Sequence, residues 1–70
     1  MCRSIKTLRR ADEPATDEEV RAAALQFVRK VSGYRTPSRR NADAFEAAVD
    51  EISEASRRLL EALEAALAPP

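Results

Sequence analysis

The 70-residue chain contains no histidine, and that absence closes most familiar routes to catalysis. A Ser-His-Asp or Cys-His nucleophile needs an imidazole base, and an HExxH zinc site needs two imidazole ligands. Glycine occurs once, as Gly33, so no glycine-rich loop can cradle a phosphate. Cysteine also occurs once, as Cys2, which excludes an intramolecular disulfide. No apolar run has the length of a membrane span or the layout of a secretion signal. These absences predict a cytoplasmic protein that is not an enzyme, carries no cofactor and does not engage a membrane.

Net charge is missing as well, because 12 Lys+Arg balance 12 Asp+Glu. A neutral total argues against bulk affinity for nucleic acid, but the charges are blocked rather than mixed. Arg3, Lys6, Arg9 and Arg10 are followed by the acids Asp12, Glu13, Asp17, Glu18 and Glu19. A second basic block, Arg29, Lys30, Arg35, Arg39 and Arg40, contains no acid at all. Local anion sites therefore stay open.

What is present is helical patterning. At TDEE, Thr16 can cap a helix and Glu19 can reach back to it, with Asp17 and Glu18 favourable at the positive end of the dipole. Val20, Ala24, Phe27, Val28 and Val31 then recur on one face. Gly33 suits a left-handed C-cap, and Arg29 and Lys30 suit the negative end of the helix. A second helix follows YRTP and runs close to Leu67, where Pro69 and Pro70 stop it. Its apolar seam reads Ala42, Phe45, Val49, Ile52, Ser56, Leu59, Leu63, Ala66, in alternating steps of three and four. Strand-like alternation is absent. The expected fold is all-α, an antiparallel two-helix hairpin over about 17–32 and 38–67 with an N-terminal arm packed along the longer helix. Residues 1–15 form the arm and 16–70 the hairpin, one domain in all.

Helix geometry adds a constraint. At about 1.5 Å per residue, the first helix can cover only the first half of the second, and Leu59, Leu60, Leu63 and Leu67 are left over. One solution lays the arm along this overhang with Ile5 and Leu8 as its apolar teeth. The other is a homodimer through Leu59, Leu63 and Leu67. A core drawn from Ile5, Leu8, Val20, Leu25, Phe27, Val28, Val31, Tyr34, Phe45, Val49, Ile52 and the four leucines approximately offsets the ordering entropy of so short a chain. A partner or self-association is therefore favoured.

Three blocks together, MCRSIK, PATDEEVRAAALQFVRKVSG and PSRRNADAFEAAVDE, resemble a family of small microbial proteins known as domain of unknown function 2277. The resemblance runs from Met1 to about Leu60. Family members usually open Met-Cys-Arg-Asn-Ile-Lys, where this chain has Ser4, and commonly carry an aromatic-Asn-aromatic stretch where it has Arg9, Arg10 and Ala11. The resemblance implies the architecture and draws notice to the terminus, but implies no activity.

Three places can carry chemistry. If Met1 is removed, Cys2 presents a 1,2-aminothiol able to chelate a soft metal, its thiolate favoured by Arg3 and Lys6; the plainer reading is a small buried or solvated residue. The arm cations Arg3, Lys6, Arg9 and Arg10 either contact phosphate or pair with the neighbouring acids, and pairing is preferred. At the hairpin tip, Arg35, Arg39 and Arg40 can bind an anion together with the N–H groups that open the second helix. That reading holds if Ser38 is the cap; if Asn41 is the cap, they are ordinary loop residues. Tyr34 either stacks on a base or closes the core. The carboxylates Glu46, Asp50, Glu51, Glu54, Glu61 and Glu64 read as solvated faces. The expectation is a non-catalytic interaction module that binds a protein or a nucleic-acid or other anionic partner through the basic tip and the arm, with a thiol- or metal-handling protein working through Cys2 as the alternative.

Overall fold

A computed structural model describes residues 7–10 and 13–67, Leu67 by its backbone alone. Two α-helices account for most of it, α1 over Asp17–Ser32 and α2 over Ala42–Leu67, packed antiparallel as a hairpin. No strand occurs among the described residues. Thr16 and Glu19 close a reciprocal capping box at the start of α1. The Glu19 N–H donates to Thr16 Oγ1 at 3.1 Å, and the Thr16 N–H donates to Glu19 Oε1 at 3.0 Å. The helix ends at Gly33, whose φ of 79° lies in the left-handed region and whose N–H donates to Arg29 O at 2.8 Å. A side chain is disfavoured in that conformation, which explains the one glycine.

The start of α2 differs from expectation. Ser38 occupies the cap position in extended backbone, but its hydroxyl makes no capping bond, and Arg39–Asn41 wind as a 3-10 turn before the α-helix begins at Ala42. The Asn41 N–H bonds to Ser38 O at 3.0 Å, an i→i+3 closure that tightens a first turn lacking a side-chain cap. Asn41 is therefore not the cap. Regular helix starts four residues later than the range beginning at 38.

The core is smaller than the apolar pattern implies. Val20, Ala24, Val28, Phe45 and Val49 are buried; all but Val20 form one cluster, with Leu25, Ala48 and Ile52 packed against it. Phe27, Val31, Tyr34, Leu59 and Leu63, all core candidates by sequence, are exposed. For Leu59 and Leu63 the reason is length, since α1 begins level with Arg57 and does not reach them. Val20, Ala24 and Val28 step by four on α1, and Phe45, Val49 and Ser53 step by four on α2, so i±4 ridges meet, and Phe27 and Val31 lie off the α1 ridge. Arg21 fastens one flank of the contact, with Nη1 to Asp50 Oδ1 at 2.8 Å and Nη2 to Glu46 Oε1 at 2.9 Å. Glu46 and Asp50 are thus exposed but partnered, where sequence placed them on a solvated face.

Ser53 is the anomaly in this interface. It is only 2% exposed, and its hydroxyl has no hydrogen-bond partner, whereas half-buried Ser56 donates to Ile52 O at 2.7 Å. An unsatisfied buried hydroxyl costs about 1–3 kcal/mol. Ser53→Ala is therefore expected to raise stability by about 1 kcal/mol or more, and Ser56→Ala to gain less. Thermal melts of the two variants check this; a Ser53→Ala midpoint at or below that of the unmodified chain would overturn it.

Candidate functional site

Two features stand apart from the packed interface: the hairpin tip and a groove beside the arm. The tip is built by local chemistry. The Tyr34 N–H donates to Ser32 Oγ at 3.1 Å, and Arg29 reaches across the turn to donate from Nε to Arg35 O at 2.8 Å. Arg39 and Arg40 sit in the 3-10 turn that opens the second helix, a position where cations meet the positive end of the peptide dipoles. Both are exposed, as is Arg35. Among the described residues, none of Arg29, Lys30, Arg35, Arg39 and Arg40 pairs with a carboxylate; the ion pairs lie elsewhere. The structure brings the second basic block together at one end of a body 49 Å long. Tyr34 stands beside it, half exposed rather than closing the core.

At the opposite end Arg10 ties the described part of the arm down. Arg10 grips Glu19 with both Nη atoms, at 2.8 and 2.9 Å, and also donates to Pro14 O at 3.2 Å. The same Glu19 closes the capping box, so one carboxylate fixes both the helix start and the arm. The preference for pairing over phosphate contact holds for Arg10, which reaches Glu13 as well at 3.6 Å. Anchored this way, the arm runs past α2 and leaves a groove of about 550 Å³ between Leu8, Pro14 and Ala15 on one side and Leu60, Glu64 and Ala65 on the other. Leu8 is half-buried there. Arg57 bridges the floor, reaching Asp17 at 3.6 Å and Glu54 at 2.6 Å.

Cys2, Arg3 and Lys6, with the Ile5 tooth of the arm, lie outside the described residues. So do the side chain of Leu67 and residues 68–70. Two features escaped sequence reading, the pairing of Arg21 with Glu46 and Asp50 and the burial of Ser53 without a hydrogen-bond partner. The first was detectable in principle, since Arg21 lies one residue beyond Val20 and flanks the buried ridge.

With a helical hairpin, a latched arm and a basic tip in place, the comparison with known families is specific. The whole chain, residues 1–70, matches the family described as uncharacterized conserved protein (DUF2277), and it belongs to that family. Neither a curated protein nor a solved structure matches it. Among the described residues, no helix is long and apolar enough to cross a membrane.

The Arg10 guanidinium and the Thr16 N–H hold the Glu19 carboxylate down at about 2, from an ordinary 4.5. A depressed folded-state value means that the latch contributes its full stability above about pH 4.5 and loses it as pH falls toward 2. Across that window the thermal midpoint of the unmodified chain is expected to fall more steeply than that of Glu19→Gln. Melts at a series of pH values provide the check, and parallel curves would show that the latch does not form.

Proposed function

We propose that this protein is a small non-catalytic interaction module that takes an anionic partner, a nucleic acid or an acidic protein segment, at its hairpin tip. The observation that carries the reading is the placement of Arg39 and Arg40 in a first turn without a side-chain cap, where neither forms an ion pair among the described residues although Asp43 follows at the start of α2. Cations there work against the peptide dipoles, at a cost of a few tenths to about 1 kcal/mol each. An anion reverses the sign. It meets free N–H groups and two guanidinium forks, each able to grip a phosphate or carboxylate in bidentate fashion. Arg35 lies on the approach to the same turn. Arg29 supports them by bracing the turn through the Arg35 carbonyl. The composition supports the non-catalytic part of the reading, since neither a histidine nor a glycine-rich loop is available. A cytoplasmic setting is part of the same proposal.

The test is an NMR titration at low salt with phosphate, sulfate and a short RNA. The expected result is a shift of the amides of residues 35–43, and, for nucleic acid, a log-log salt slope of roughly −0.7 per phosphate contact on a single strand. Arg39→Ala combined with Arg40→Ala is expected to weaken binding and flatten the slope while leaving the helical signal intact. No shift with any of the three would overturn the reading.

A further inference from the structure

We propose that the Leu59/Leu63 face of α2 is a self-association surface, pairing antiparallel with the same face of a second copy of this chain. Leu59 is 58% exposed and Leu63 is 38% exposed, and both continue the apolar seam that α1 covers over the first half of α2. The cover stops where α1 begins: Asp17 lies level with Arg57. Beyond that point the described arm does not take over. It stands on the Leu60, Glu64 and Ala65 side, across the groove, while Leu59 and Leu63 stay open. Exposed Ala55, Ala62 and Ala66 fall at helical spacing around them and widen the apolar strip.

A second copy is the occupant because the surface is the unfinished part of an existing helix–helix interface. Over its first half the seam is completed by an antiparallel helix, and the second half lacks one. Two overhangs set antiparallel about a two-fold axis near Glu61, Leu59 of one copy against Leu63 of the other, satisfy both copies through one isologous contact. Charge selects the direction. Each tip gathers five cations without an acid, and antiparallel pairing of the overhangs sends the two tips to opposite ends of the assembly, whereas parallel pairing places them side by side. The overlap is only about two to three helical turns, at the small end of specific interfaces, so association depends on concentration. This inference is independent of anion binding at the tip, and either can fail alone.

Sedimentation of the full chain from about 10 µM to about 1 mM is expected to show the apparent mass rising from 7.7 kDa toward twice that value. Leu59→Glu combined with Leu63→Glu is expected to remain monomeric across the range with its helical circular dichroism intact. A chain that stays monomeric at the highest concentration, or a helical double variant that still doubles its mass, overturns the proposal. Should the double variant fail to fold, cross-linking decides. In a Cys2→Ser background, Ala62→Cys, close to the axis, is expected to form an intermolecular disulfide much faster than Ala47→Cys on the tip half of the same helix. Equal rates overturn the proposal.

Discussion

The mismatch between a 16-residue helix and a 26-residue helix governs everything else in this molecule. At 1.5 Å per residue the difference is about 15 Å of uncovered helix. A hairpin cannot correct this internally, because the connection fixes which ends lie together. The overhang must be met by something other than α1. The arm supplies part of the answer, on the flank that holds Leu60, where Arg10 and Glu19 tie its described residues to the start of α1. One carboxylate thus serves helix capping and arm placement at once, which couples the least regular part of the chain to the most regular.

The interface itself is economical. Two valines and an alanine on α1 meet Phe45, Val49 and Ser53 on α2, so small side chains let the ridges approach. Among the described residues five apolar side chains are buried, which is few for a chain of this size, and the margin between burial and ordering entropy is correspondingly thin. Under that constraint, polar attachments matter more than usual. Arg21 spans to two acids on the facing helix, Arg57 joins helix α2 to the first residue of α1, and Arg10 fixes the arm. Each exposed pair contributes little alone, but all three connect elements that the apolar core does not join firmly.

Much of this was legible in the sequence, and the reasons separate cleanly by residue. The limits of α1 were readable because Thr16, Glu19 and Gly33 each answer a backbone requirement that few residue types satisfy. The family was readable from three contiguous blocks. The buried face of α1 was read less well, because Phe27 and Val31 are apolar at acceptable helical spacing and nothing in spacing alone says which of two adjacent ridges meets the partner, whereas helix length did leave Leu59 and Leu63 beyond α1. Ser53 carries the lesson in reverse: a polar residue sits at the closest approach because its small volume fits there. The tip was legible as a charge block, but the missing cap at Ser38 was not, since a serine in that place normally bonds to the helix it precedes.

That uncapped turn is where local rules and observed sequence part company. Around α1 the chain follows the electrostatics of its backbone: acids open the helix, Arg29 and Lys30 close it, and a carboxylate completes the cap. At the Arg39–Asn41 turn two cations stand against the peptide dipoles, with Asp43 following at the start of α2. The break cannot serve packing, because neither Arg39 nor Arg40 is buried, and among the described residues neither forms an ion pair, even with Asp43 at the start of α2. What it does create is a strongly positive surface whose cost disappears when an anion arrives. Departures of this kind, in which folding loses and binding gains, mark functional positions more often than structural ones. The tip is the part of the hairpin whose charges neither the core nor an ion pair among the described residues explains.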